Sequence, residues 1–260
     1  MKDFSRLKAN VVLKKSSLDE YQKVMDFFWD ELMKLNTNIF IIKKIFEFPF
    51  YIFCSPKDTV FFSSVVRNFY ENSILTVTKL TTDQKGKLYT LPQFKNWVYK
   101  RVKVRYESDF KNWLKKSKFG SKTKRILKKA EKLRNQIIAH FDKHPLLGMG
   151  ELEYLDIKEL EQLIDRLNFV LDTLSFSVEH MMLPLSYSEN VIHPKGVDPR
   201  PDIEVILDSI AKDSYLLNMP EHSPEQWKYA KESLDEEGKK IFNKYRKKFS
   251  LPEVEKDSRA

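Results

Sequence analysis

The chain has 260 residues with 42% hydrophobic and 13% aromatic content, enough apolar mass to bury a sizeable core and too much for a disordered chain. Six glycines argue against Gly-rich phosphate loops and many-turned β folds, and the single cysteine, Cys54, excludes an intramolecular disulfide and a cysteine zinc cluster. The formal net charge of +9 is concentrated in residues 95–132, where 15 Lys or Arg stand against three acids and leave the rest slightly acidic, a distribution that suits a polyanionic partner or, more plainly, a solvated pair of helices.

Residues 1–15 are basic without the apolar stretch of a signal peptide. Together with the low cysteine usage this predicts a cytoplasmic setting. Ser17-Leu18-Asp19-Glu20 is a capping box that opens a helix to about Leu35. Residues 39–54 form the most apolar run, interrupted by Lys43, Lys44 and Glu47. It is too short to span a bilayer, so it reads as a second, buried helix with Cys54 as a small hydrophobe at its end, and no membrane segment is expected. Ser55-Pro56-Lys57-Asp58 puts a proline in the first turn of a long helix to about Leu80. Thr90-Leu91-Pro92-Gln93 opens a helix that runs through Trp97 and Trp113 to a stop at Gly120. Ser121 then caps the next, which ends at His144-Pro145 and the Gly148-Met149-Gly150 turn. Asp156 opens a helix stopping before Pro184, in which Leu160, Leu163, Leu167, Val170, Leu171 and Leu174 keep helical spacing and form a core-facing stripe.

Pro194, Gly196, Pro199 and Pro201 mark residues 186–202 as a linker or extended arm. A short helix over 203–212 and a charged one from Ser223 to about Phe249 follow, with disorder from Pro252. The fold class is therefore all-α. Four long helices between residues 55 and 184 make an antiparallel bundle, with an N-terminal pair over 17–54 packed on it. The domain spans 1–185, the linker 186–202 and the helical extension 203–260.

Residues 133–143, Leu133-Arg134-Asn135-Gln136-Ile137-Ile138-Ala139-His140-Phe141-Asp142-Lys143, are the one stretch with enzymatic chemistry. Cleaving a phosphodiester with an internal 2′-hydroxyl needs one proton removed, one delivered, and charge stabilised on the phosphate. His140 can move a proton near neutral pH, the Arg134 fork matches phosphate oxygens, and the Asn135 amide can orient a hydroxyl or phosphate oxygen. This inventory requires no metal and no cofactor. Residues six apart on a helix differ by about 120° in direction and about 9 Å in height, so Arg134 and His140 can flank a phosphate only from two sides or with help from a second subunit.

This segment resembles the signature of the HEPN family: an Arg, an adjacent polar residue, then a His near the end of a helix. Asn135, Ala139 and Asp142, with Asn72 to Asp83 and Leu91-Pro92 upstream, are similar to its abortive-infection subgroup. The resemblance covers roughly residues 20–185 and implies a bundle with the signature on its third helix. It also implies metal-independent ribonuclease activity that leaves a 2′,3′-cyclic phosphate, and a homodimer whose two motifs face one cleft. Arg134, Asn135 and His140 are then the catalytic set, with support from Asn72, Asp83 and Asp142. Lys122, Lys124, Arg125, Lys128, Lys129 and Lys132 would bind RNA along the groove wall. Trp97, Tyr99, Tyr106 and Trp113 interleave with the basic block and either stack on bases or belong to the core.

The expected function is an RNA-cleaving toxin or abortive-infection effector, with tRNA among its candidate substrates and an antitoxin or regulatory protein as its restraint. A non-catalytic RNA- or protein-binding module of a defence complex, and a helical DNA binder, are the alternatives. His144 follows His140 at metal-chelating spacing, but Pro145 ends the helix and no third ligand presents itself. His180 suits a helix C-terminus, and His193 and His222 sit in loop-like sequence without partners.

Overall fold

The computed structural model describes residues 4, 7–54, 56–82, 89–142, 157–176 and 200–252; within its helices the side chains of 56–58, 133 and 136–142 lie outside that description. Asp83, His144, the turn at 148–150, His180, His193, the arm at 186–199 and the tail from 253 also lie outside it. Among the described residues the regular elements are helices. In chain order they are α1 (Ala9–Val12), a 3-10 turn (Lys15–Ser17), α2 (Leu18–Glu47), α3 (Phe50–Phe53), α4 (Pro56–Thr81), α5 (Leu91–Arg101), α6 (Val104–Lys116), α7 (Phe119–Asp142), α8 (Ile157–Asp172), α9 (Asp202–Lys212), α10 (Tyr215–His222), α11 (Pro224–Ser233) and α12 (Glu236–Lys248).

The architecture is all-α, and several boundaries differ from the sequence reading. The helices expected over 17–35 and 39–54 are one 30-residue α2, followed by the single turn α3. Neither Gly nor Pro interrupts the chain before Pro49, so nothing breaks the hydrogen-bond ladder where the composition turns polar at Asn36-Thr37-Asn38. The Ser17 hydroxyl donates to the Lys14 carbonyl (2.7 Å), closing the turn before α2.

The single helix expected over 90–120 is two. The backbone leaves the helix at Val102-Lys103, where Leu13 and Val102 form an isolated antiparallel bridge. The N–H of Lys14 donates to the Arg101 carbonyl and that of Lys103 to the Val12 carbonyl, both at 2.9 Å. Lys103 Nζ donates to the carbonyls of Asn10 (2.7 Å) and Val11 (3.0 Å). The N-terminal segment thus satisfies the groups that a broken helix leaves open. The next stop falls at Lys118, whose φ of 55° is left-handed. Gly120 lies inside the first turn of α7, and Ser121 donates to the Lys118 carbonyl rather than capping that helix.

The chain divides into two compact units, Met1–Ile39 with Phe69–Asn190, and Phe40–Asn68 with Val191–Ala260. In the first, the core holds Phe4, Tyr21, Phe28, Phe94, Phe110 and Phe176 with the predicted stripe Leu160, Leu163, Leu167, Val170, Leu171 and Leu174. Asn38 Nδ2 donates to Ser73 Oγ (3.1 Å) between α2 and α4, and Thr78 Oγ1 donates to the Ala130 carbonyl (3.4 Å) between α4 and α7. Lys129 pairs with Glu159 at 2.8 Å while Lys122 lies over Phe169, so α7 and α8 run antiparallel. The Tyr21 hydroxyl donates to the Leu174 carbonyl and accepts from the Phe176 N–H, each at 3.1 Å. Burial pushes its pKa up, so it stays a neutral donor.

In the second unit, Ile45, Phe48, Ile52, Phe53 and Phe62 pack with Leu207, Leu217, Trp227 and Phe242. The fully buried Arg246 donates to the Leu217 carbonyl (2.6 Å), the Pro252 carbonyl (2.7 Å) and the Glu221 carboxylate. That pairing holds the Glu221 carboxyl below its usual range. Asp208 accepts from Lys248 (2.5 Å) and from Arg200. The charged helix expected from Ser223 to Phe249 is α11 and α12, divided at Leu234-Asp235; the Asp235 side chain caps α12 by accepting from the Gly238 N–H (2.6 Å).

Candidate functional site

The arginine and histidine of the motif lie on one continuous helix. α7 runs from Phe119 to Asp142, so Arg134, Asn135, His140 and Asp142 are all carried on regular helical backbone. Its buried positions Phe119, Thr123, Ile126 and Ala130 recur every three or four residues and define the core-facing stripe. Arg134 is the next position in that series. It is half-buried, whereas Asn135 is exposed.

The Arg134 Nε is buried and has no hydrogen-bond partner among the described residues, while its Nη2 donates to Asn135 Oδ1 at 3.2 Å. The arginine therefore reaches the core margin with part of its fork unused, and the amide oxygen of its neighbour steadies the rest. An always-charged guanidinium half-exposed at the bundle margin suits an anionic oxygen. Accepting from Arg134 leaves the Asn135 amide nitrogen as a donor. His140 follows six residues later; its side chain, like that of Asp142, lies outside the described residues, as does the whole of Asp83. Asn72 is exposed on α4.

The basic residues of α7 fall into two groups. Lys124, Arg125, Lys128 and Lys132 are exposed. Lys122 and Lys129 are half-buried toward α8, with Lys129 bound to Glu159 and Lys122 Nζ 3.3 Å from the centroid of the Phe169 ring. Desolvation, with Lys118 nearby, lowers the Lys122 pKa. The interleaved aromatics are mostly structural. Trp97 and Tyr106 are buried, and Trp113 Nε1 donates to the Thr173 carbonyl at 3.0 Å. Arg101 stacks over Trp97 at 4.1 Å and Arg105 over Tyr106 at 4.8 Å, so two cations of the block cover core aromatics. Tyr99 is exposed.

The exposed aromatic that does meet the basic surface is Phe169, which the sequence reading passed over. The available signal was that it falls off the stripe through Leu167, Val170 and Leu171 in an otherwise well-patterned helix. A cleft of about 370 Å3 between α2 and α8, lined by Asn36, Ile39, Lys158, Glu161 and Asp165, contains none of the motif residues. Among the described residues no group of three His, Cys, Asp or Glu is placed to hold a metal, and no helix is long and apolar enough to cross a membrane.

Residues 55–189 match the model of the HEPN_AbiU2 family, described as AbiU2. No curated protein and no solved structure matches the chain. The matched segment includes α4 to α8, and with them the half-buried arginine, its asparagine neighbour and the histidine that follows.

Proposed function

The chain belongs to the AbiU2 family of HEPN-like abortive-infection proteins, and from that premise we propose that it is a metal-independent endoribonuclease serving anti-phage defence. The observation that carries this reading is Arg134, half-buried on α7 with an Nε that has no partner among the described residues and bonded to Asn135, on the same helix as His140 and beside the basic block.

In the proposed reaction the 2′-oxygen attacks the adjacent phosphorus. Its proton leaves, the O2′–P bond forms, and the P–O5′ bond breaks. The products are a 2′,3′-cyclic phosphate and a 5′-hydroxyl that takes up a proton. His140 moves one of these protons, and Arg134 stabilises the charge that builds on the non-bridging oxygens. Asn135 orients the reacting group. The protein is a twofold dimer in this reading, with Arg134 and His140 of both copies lining one cleft, and RNA, tRNA included, as substrate. An antitoxin or regulatory protein restrains the activity.

Incubation with tRNA or total RNA in excess chelator tests the proposal. Cleavage that survives chelation, yields cyclic-phosphate ends and disappears in His140→Ala is the expected result. Failure of the folded, activated protein to cut any RNA class would remove the catalytic reading and leave a binding module.

A further inference from the structure

We propose that Phe169 and Lys122 form a base-stacking subsite for single-stranded RNA, on the same flank of α7 as His140. The inference rests on RNA being the substrate and adds a contact that the motif does not contain.

Phe169 is 49% exposed on α8, although its neighbours Asn168 and Val170 are buried. It is not a loose side chain at a frayed end, because three further residues of α8 follow it. Lys122 places its Nζ 3.3 Å from the ring centroid and so holds the ring against α7. On the α7 side the surroundings are cationic, while Asp165 and Asp172 flank the ring along α8. Lys122, Arg125, Lys129 and Lys132 recur at intervals of three, four and three along α7, which places them on one flank, and Lys118 stands just before the helix. A half-exposed phenyl ring within a lysine flank is poorly suited to an apolar protein partner. It suits a polyanion whose bases carry π-faces and whose phosphates want cations. Lys122 covers one face of the ring, so a base would stack on the other, and a strand phosphate near Lys122 would relieve its repulsion with Lys118.

The register links this subsite to the motif. Lys122 and His140 are 18 residues apart on continuous helical backbone, about five full turns, so their positions share one direction at a separation of about 27 Å. A strand following the basic flank from Phe169 therefore runs toward His140. Duplex RNA keeps its bases stacked inside the helix and cannot lay one on Phe169, so the subsite selects unpaired segments.

The test is anisotropy titration of a labelled 2′-O-methyl single strand, which internal attack cannot cleave, against the duplex of the same sequence. Phe169→Leu keeps apolar bulk and removes the π-face. It is expected to weaken single-strand binding roughly 5- to 150-fold, leave duplex binding nearly unchanged, and preserve the salt slope. Phe169→Trp is expected to retain affinity, and Lys122→Ala to lower the salt slope by about one. Unchanged single-strand binding by Phe169→Leu, or equal weakening of both RNA forms, overturns the subsite. So does a change in oligomeric state with RNA affinity intact, which would assign Phe169 to a subunit contact. Failure of the wild-type protein to bind any RNA overturns the ribonuclease reading together with the subsite. Wild-type binding that Phe169→Leu does not alter overturns the subsite alone.

Discussion

At the residue scale, two groups in the first unit are held in states that water would not choose. Arg134 keeps a charged fork whose Nε has no partner among the described residues at the core margin, a cost that an anionic ligand can offset. Asp172, at the end of α8, has its carboxyl pushed up from 3.8 to about 6 by burial. Its consequence for stability has a definite sign. Between pH 3.8 and about 6 the native state holds this proton and the unfolded state has released it. Stability therefore falls as pH rises through that window and stays lower above it. Asp172→Asn removes the ionisation, so urea midpoints should favour the variant at pH 7.5 and converge with wild type near pH 3.5. A variant equally or more destabilised at pH 7.5 would contradict this account.

At the element scale, α7 depends on where its first turn begins. The left-handed residue is Lys118, and a Cβ built on Gly120 meets nothing within 4 Å. Gly120→Ala should thus add a few tenths to about 1 kcal/mol by reducing unfolded-state entropy and favouring the helix. On that scale the melting temperature rises by about 1–4 °C. A clear fall would mean that the chain needs glycine's freedom at 120 and that the helix starts later. The same element shows how far sequence reading reaches. The motif's helix, the core stripe of α8 and the opening of α4 at Pro56 were legible because periodicity and proline act locally. The break at Val102 was not, because its cause is a bridge to Leu13, 89 residues earlier in the chain. Helix α10 was missed for a related reason. Pro220 reads as a breaker, yet it sits in a helix of eight residues whose first turn is secured by Ser214 accepting from the Leu217 N–H. Of the proposed site, Arg134, Asn135 and His140 stood out by their resemblance to the HEPN signature, and the segment that matches the family contains them. The half-burial of Arg134 and the meeting of Phe169 with Lys122 depend on packing between helices that sequence alone does not place.

At the scale of the whole molecule, the question is whether one chain holds a complete site. Residues six apart on α7 point about 120° away from each other, and the helix remains regular from Arg134 to His140. No kink swings one toward the other. A phosphate could meet both within a single chain only if the Arg134 fork reached around the helix, which its Nε at the core margin and its bond to Asn135 oppose. In the proposed dimer, a second copy related by a twofold axis would supply the missing direction without distortion. The expected outcome is complementation: Arg134→Ala and His140→Ala, each inactive alone, should recover cleavage when unfolded together and refolded as mixed dimers. In such a dimer one site keeps the arginine of one chain and the histidine of the other. Activity should also fall on dilution below the dimer dissociation constant, with the loss tracking the sedimentation profile. If mixed dimers form and remain inactive, arginine and histidine act within one chain. The helix would then have to deform on binding RNA, and the regular α7 would be a resting state of the enzyme.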